Sequence, residues 1–196
     1  MPKQTKTYIK ILEAALPLFA AFGYKGVAMR DIANTVGITA AALYNHFPNK
    51  DNLYFKALEY AFDAQVSGLA GMLAKTQTPR QRLTAFIAFW VETFGSDVIL
   101  RALLQREMTD ADEVRLRMLI QHVFQPIYLE VEEFLRSITS RHDPLMLFVS
   151  IAGLVMYHFE TAPLRKLLPN FHPGQDEHDA IIEHVTSLLI HGLDVP

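Results

Sequence analysis

The sequence predicts an all-α protein, and three observations carry the prediction. Apolar residues recur at the spacing of a helix face along most of the chain. No stretch alternates apolar and polar residues as a half-buried strand would. The clearest of several helix start signals is TPRQ at residues 78–81, a capping box with proline at the first helical position. With 196 residues, 51% of them hydrophobic, the chain is long enough for one or two compact domains of about nine helices.

Four helices are expected in the first part of the chain, over residues 6–22, 29–36, 40–46 and from 49 to about 75. Gly23 follows the first helix, because glycine tolerates the left-handed conformation of a helix exit. Thr39 is the expected N-cap of the third helix, and Asn49 caps the fourth. The three shorter helices should share one small core, with the fourth lying along them.

Five more helices are expected: one from residue 79, then 97–108, 110–137, one from 144, and one beyond the proline-rich break at 163–173. The fifth is apolar nearly all round, so it should lie at the centre of the second half. Pro126 should kink the seventh, because proline lacks the backbone N–H that an inner helical turn needs. Asp143 and Pro144 open the eighth.

Charge is divided unevenly along the chain. Residues 1–50 carry six Lys and Arg against two Asp and Glu, whereas the remaining residues carry 12 against 19. The overall net charge of −3 therefore hides a basic front end. Such an asymmetry suggests an anionic partner for the first segment.

Composition also argues against an enzyme. The chain has no cysteine, no glycine-rich phosphate loop, no nucleophile elbow and no Glu-x-x-His pair for a di-iron bundle. No cofactor or metal is expected, since Glu177, His184 and His191 share a helix face that we interpret as solvated. The most apolar run, residues 146–156, is too short for a membrane span, and no signal peptide is visible. We expect a cytoplasmic protein without a membrane partner.

Residues 28–47, AMRDIANTVGITAAALYNHF, have the pattern of a helix-turn-helix. Ala33 is small where two helices cross closely, and Gly37 stands where the turn needs a positive φ. The second helix of the pair begins with three alanines, whose small size permits close entry into a major groove. Polar side chains that can reach phosphates or bases follow them. The expected DNA-contacting residues are Arg30, Thr39, Ala40, Ala41, Ala42, Tyr44, Asn45, His46 and Lys50.

The run GYKGVAMRDIANTVGITAAALYNHFPNKDNLY, with the preceding ILEAALPLFAAFGY, resembles the DNA-binding domain of the tetracycline-repressor-like (TetR) transcriptional regulators. The resemblance covers residues 8–60. It implies a DNA-binding domain at 1–50 and a helical regulatory, ligand-binding and dimerisation domain at 51–196. It further implies a homodimeric repressor that binds a palindromic operator on double-stranded DNA, with Tyr44 facing the DNA and Lys50 on a phosphate.

Two departures from the family pattern stand out. Ala28 occupies the cap of the second helix, where the family often has Ser or Thr, and Ala40 and Ala41 replace polar or basic residues. Direct base readout should therefore be sparse, leaving more of the specificity to Arg30, Asn45, thymine methyl groups and DNA shape.

A small-molecule effector is expected between the fifth and seventh helices, and aromatic walls there suit a lipophilic or amphipathic ligand. The predicted lining is Phe86, Trp90, Phe94, Met118, His122, Phe124 and Tyr128. Taken alone, the aromatic stripe is more typical of core packing than of a ligand cage. A helix-turn-helix regulator without an effector, controlled by a protein partner or acting constitutively, therefore remains the alternative.

The last two long helices are expected to form the dimer interface as a four-helix bundle across a two-fold axis. The eighth has more apolar surface than one subunit covers, and the ninth carries a matching stripe. The predicted interface residues are Leu154, Ile181, Val185, Leu188 and Leu189.

Overall fold

The structure is a computed structural model that describes residues 6–66, 69 and 78–193. The α-helices of these residues are α1 (Lys6–Gly26), α2 (Met29–Val36), α3 (Ala40–His46), α4 (Lys50–Val66), α5 (Pro79–Ser96), α6 (Val98–Asp110), α7 (Glu113–Leu119), α8 (Gln125–Ile138), α9 (Pro144–Glu160), α10 (Ala162–Arg165) and α11 (His178–Leu193). A π-helical segment covers Ile120–Phe124, and a 3-10 turn covers Pro173–Asp176. No strand occurs in the described ranges, so the all-α prediction is confirmed.

Among the described residues there are two helices more than the nine expected, for local reasons. The predicted seventh helix begins at Glu113 rather than at residue 110, because Ala111 adopts a φ of +45° and Asp112 caps the helix by accepting the Arg115 N–H at 3.1 Å. This helix counts as two, α7 and α8, because a π-helical turn separates them just before Pro126, whose missing N–H favours a widened turn there. The second addition is the short helix α10. The predicted end of the fourth helix near Lys75 lies outside the described residues.

The chain divides into two units, and the division does not follow the chain order. The first comprises the described residues within 1–65 and 99–126, and the second those within 66–98 and 127–196. The helix α4 and most of α6 and α7 thus share a unit with the helix-turn-helix.

In the first unit, α1 packs on α2 and α2 on α3. The core of this unit is apolar and nearly closed to solvent; its members include Ile11, Leu12, Phe19, Ile32, Leu43, Phe47 and Leu53. Helical geometry in α1 is interrupted at Gly23, with φ +71° and ψ 170°, close to the expected end of the first helix.

In the second unit, α5 is central, as its all-round apolar character predicts. Both α9 and α11 pack on it, and Phe86 and Val91 of α5 are fully buried. Thr78 caps α5 as expected, and Asp143 caps α9 by accepting the Met146 N–H at 3.0 Å. Within the described residues, no single helix is long and apolar enough to cross a membrane, and only α5 and α6 taken together have the length and composition for it.

Candidate DNA-binding site

The turn between α2 and α3 has the geometry that the sequence predicts. Gly37 adopts φ +80° and ψ +34°, the left-handed region that favours glycine. Its N–H donates to the Ala33 carbonyl at 3.0 Å, and the Ile38 N–H donates to the same oxygen at 3.0 Å. Ala33 is buried, as expected for a close helix crossing. These bonds satisfy the last carbonyls of α2 and set the direction of α3.

The N-terminus of α2 has only one of the two hydrogen bonds of a capping box. Ala28 has no side-chain acceptor, but its own N–H donates to the Asp31 carboxylate at 2.9 Å. The negative charge of Asp31 in the first helical turn also suits the helix dipole. Arg30, beside it, is exposed. The missing cap hydroxyl is thus partly offset within the helix, and Arg30 is left accessible.

The helix α3 separates a buried side from an exposed one. Thr39 caps it by accepting the Ala42 N–H at 3.1 Å, as predicted. Leu43 and Phe47 are fully buried, and the Phe47 ring lies 4.7 Å from that of Tyr8. The opposite side presents the two alanines and the polar residues predicted to contact DNA: Ala40, Ala41, Tyr44 and Asn45 are exposed, and Ala42 and His46 are half-buried. An unobstructed front turn and flanking donors are what a groove-binding helix requires.

Lys50 has a partner set that the sequence does not reveal. Its ammonium donates to the carbonyls of Tyr24 at 2.8 Å and Val27 at 2.9 Å, and lies 4.3 Å from the Tyr24 ring centroid. The Tyr24 hydroxyl donates to the Asp51 carboxylate. Burial, followed by this hydrogen bond, raises the pKa of Tyr24 to about 12. Lys50 therefore closes the α1–α2 connection, and its predicted phosphate contact stays a prediction.

A buried polar cluster behind the helix-turn-helix was also missed by sequence reasoning. It consists of Tyr54, Glu107 and Arg115, drawn from α4, α6 and α7 and all less than 5% exposed. Glu107 accepts the Tyr54 hydroxyl and, at 3.2 Å, the Arg115 Nε. Burial first, then the Glu107 hydrogen bond, raises the pKa of Tyr54. Residues 53 and 61 positions apart form this cluster, so no local pattern could have signalled it.

The predicted effector-binding residues are divided between the two units. Phe86, Trp90 and Phe94 are buried in the second unit, where the Trp90 ring lies 5.2 Å from Phe94 and 6.1 Å from Phe86. Tyr128 belongs to the same unit and contacts Phe148 at 5.6 Å. The other three, Met118, His122 and Phe124, lie in the first unit. The aromatic stripe is thus part of the second unit's core, and its role toward a ligand stays a prediction.

The predicted dimer residues also differ in placement. Ile181, Val185 and Leu189 are buried within the chain, and α11 packs on α5. Their predicted role in the dimer interface stays a prediction, because periodicity shows that a stripe is buried but not by which partner. Leu188 is 51% exposed and Leu154 is half-buried, so both remain accessible.

The outer face of α9 presents more exposed apolar side chains than α11 does. It continues the row on which Leu154 lies, and its exposed members are Leu145, Met146, Val149, Gly153 and Tyr157. No Asp, Glu, Lys or Arg interrupts α9 before its last residue, Glu160. Near its end the face continues into a groove of about 700 Å³, bounded by Leu154, Tyr157 and Leu164 among others.

The groove is lined mainly by apolar atoms, and His158 and Arg165 are among its few polar side chains. The Arg165 guanidinium donates to Nδ1 of His158 at 3.0 Å, to the His158 carbonyl at 2.8 Å and to the Asp176 carboxylate at 2.6 Å. Because guanidinium only donates, this Nδ1 accepts and the imidazole is neutral. Burial first, then the charges of Arg165 and His184, lowers the pKa of His158.

Residues 11–57 match the family described as bacterial regulatory proteins, tetR family. Two curated relatives are transcriptional regulators. The HTH-type transcriptional activator FasR of Mycolicibacterium smegmatis is 37% identical over 88 residues, which are 45% of this chain and 40% of FasR. The negative regulator IcaR of the biofilm operon icaADBC in Staphylococcus epidermidis is 28% identical over 143 residues, 70% of this chain and 66% of IcaR. The chain thus spans less than two thirds of the length of these relatives.

Two solved structures share the fold over nearly the whole chain. AibR, in complex with isovaleryl coenzyme A and operator DNA, has a TM-score of 0.69 and 20% identity, covering 93% of this chain and 97% of AibR. The transcriptional regulator FadR of Bacillus subtilis, in complex with stearoyl-CoA, has a TM-score of 0.76 and 17% identity, covering 94% and 98%. At this identity the likeness concerns the fold.

Proposed function

Since the chain belongs to the TetR family of bacterial regulatory proteins, we propose that it binds a palindromic operator as a homodimer and represses transcription until a small lipophilic or amphipathic ligand releases it. The curated relatives are transcriptional regulators rather than enzymes, in agreement with the sequence prediction. The observation that carries the proposal is the exposed side of α3, on which small residues lead and polar donors follow.

Contacts to DNA divide by chemistry. The exposed Asn45 amide can bond a base edge, the Tyr44 hydroxyl is suited to a phosphate, and the Arg30 guanidinium can bond either. Loss of a base contact should relax specificity, while loss of a phosphate contact should weaken binding to all sequences alike. The alanines at the front of α3 can contribute only methyl contacts, so few base pairs should be read directly.

The experiment begins by selecting duplexes from a random library with the full-length protein. Fluorescence anisotropy then measures affinity at several salt concentrations. Arg30→Gln should reduce the slope of log K against log salt by about one, whereas Arg136→Gln, an equal charge change on α8, should leave it unchanged. Asn45→Ala should bind the selected duplex about tenfold less tightly and discriminate less between duplexes. Selection of no duplex by the wild type would refute the proposal.

Dimerisation is supported by the outer face of α9 together with Leu188. An uncharged apolar face of this length is unfavourable in water. In an isologous dimer, the same face of each subunit would be buried against the other. One helix-turn-helix also buries too little surface for tight specific binding, whereas two can occupy half-sites about 34 Å apart.

The effector class is proposed from the aromatic composition of the second unit. The fold-level neighbours AibR and FadR hold coenzyme A thioesters, which are amphipathic, so isovaleryl-CoA and stearoyl-CoA are the first probes and coenzyme A alone is the control. Trp90, the only tryptophan, reports on the aromatic core through its fluorescence. A true effector must lose affinity in the presence of operator by the same factor by which it weakens operator binding.

A regulator without a small effector is the second candidate. The close packing of Phe86, Trp90 and Phe94 favours it, because a ligand there would have to displace core side chains. An operator affinity that no acyl-CoA or other lipophilic compound changes would favour this candidate over the first.

A further inference from the structure

The end of α1 is held by a side chain from α6. Helical geometry breaks at Gly23, and the last carbonyls of a helix have no intrahelical N–H partners. Arg106 donates its Nε to the Ala20 carbonyl at 2.6 Å and its Nη2 to the Ala21 carbonyl. A cation at a helix C-terminus is also favoured by the helix dipole. A Cβ on Gly23 would lie 3.3 Å from the Arg106 Nη1, so glycine serves both the turn and this close approach.

Tyr24, directly after the break, is held by a second arginine. The Arg115 guanidinium lies 4.9 Å from the Tyr24 ring centroid, within cation–π range. Arg115 is only 4% exposed and is itself fixed by Glu107 at 3.2 Å and Asp110 at 3.1 Å. The position of Arg115 is therefore set by α6 and α7. Through its contact with Tyr24, Arg115 holds the α1–α2 connection in place relative to these two helices.

Tyr54 of α4 connects these contacts, because it contacts both Glu107 and Tyr24. Glu107 accepts the Tyr54 hydroxyl, and the Tyr54 ring packs edge-on against Phe19 at 4.7 Å and Tyr24 at 5.2 Å. A buried carboxylate that lost either donor would be left unsatisfied, so the members hold one another in place. This set of contacts joins α4, α6 and α7 to the end of α1, all within the first unit.

We propose that α6 and α7 belong to the DNA-binding body, and that Arg106 and Arg115 are positioning residues that fix the end of α1 on them. Because α2 packs on α1 and α3 on α2, these two side chains set the orientation of α3 relative to residues 98–119. A displacement of α6 or α7 would then move α3 through the arginine contacts as well as through α4. The consequence for DNA rests on the proposed function, whereas the docking itself does not.

The test uses full-length variants. Arg106→Met keeps the aliphatic stem and removes both hydrogen bonds, and Arg106→Lys retains a cation and a donor. Arg115→Met removes the second contact. Arg117→Met is the matched control. Arg117 lies on α7 like Arg115, but it is exposed and pairs with Glu113, one helical turn away. Hydrogen exchange of the amides in residues 20–27 and affinity for the selected duplex are both measured.

In Arg106→Met and Arg115→Met, the amides of 20–27 should exchange about tenfold faster while the cores of α2 and α3 keep wild-type protection. Arg106→Lys should restore most of the protection, and Arg117→Met should match wild type. Operator affinity should fall about tenfold with an unchanged salt slope, because no phosphate contact is lost.

Exchange in Arg106→Met that matches Arg117→Met would overturn the proposal, as would a uniform rise through the first unit. Arg106 is half-buried, so Arg106→Met decides the question even where Arg115→Met does not fold. A wild-type protein that binds no duplex would refute the proposed function, while the exchange result would still decide whether the arginines hold α1.

Discussion

Replacing Tyr54 by phenylalanine tests whether the buried polar cluster stabilises the first unit. The change removes one hydroxyl and leaves the ring in contact with Phe19 and Tyr24, so cavity formation is negligible. Glu107, only 2% exposed, then keeps Arg115 but loses a short hydrogen bond. A hydrogen bond to a charged group contributes about 1.5–3 kcal/mol, and a loss of about 2 kcal/mol is expected.

Tyr60→Phe is a matched control on the same helix. The Tyr60 hydroxyl donates to the Glu13 carboxylate at 3.0 Å in an exposed contact, so water replaces it at little cost. Urea unfolding at one fixed protomer concentration measures both variants, because a dimer's stability depends on concentration. Tyr54→Phe should lower the midpoint without changing the m-value, and lower the melting temperature by about 4–8 °C. Tyr60→Phe should cost less than about 0.5 kcal/mol. Equal losses in the two variants would show that burial does not strengthen the Tyr54 contact.

Three further outcomes are expected. Tyr157→Glu combined with Leu188→Glu should give folded monomers in sedimentation with an unchanged helical circular dichroism signal, because both side chains are exposed; an intact dimer would exclude the outer face of α9. Gly37→Ala should cost about 1–2 kcal/mol in urea unfolding, because φ is +80° there; a cost near zero would contradict the left-handed turn. Burial and nearby charges lower the pKa of His158, so the unfolded chain binds the proton more tightly, and stability should fall as pH drops below about 6.5. His158→Gln should flatten this part of the pH profile, and an unchanged profile would contradict the assignment to His158.

The helix-turn-helix could be predicted closely because its signals are local. The bounds of α2 and α3, the Thr39 cap and the Gly37 turn each depend on hydrogen bonds that span three to five residues. The residues that carry the turn therefore lie beside one another in the chain. The division of α3 into a buried and an exposed side follows from the same short period.

The partner of a buried stripe could not be predicted in this way. Periodicity shows correctly that Ile181 and Val185 lie on a buried face, but a neighbouring helix of the same chain and a second subunit satisfy it equally well. In the structure, both residues are buried and α11 packs on α5 of the same chain. The outer face of α9 is exposed in the single chain, and its predicted role in the dimer stays a prediction.

The helical class, the helix-turn-helix and the resemblance to TetR regulators can be read from local patterns, because helix periodicity, caps and turn glycines act over a few neighbouring residues. Which polar side chains bond within the protein depends on the packing of distant helices. Lys50 reaches carbonyls 23 and 26 residues away, and Arg106 reaches the end of α1 across 85 and 86 residues. Such pairings depend on how helices meet in space, and a lysine or arginine that will cap a distant helix has the same local surroundings as one that stays in solvent.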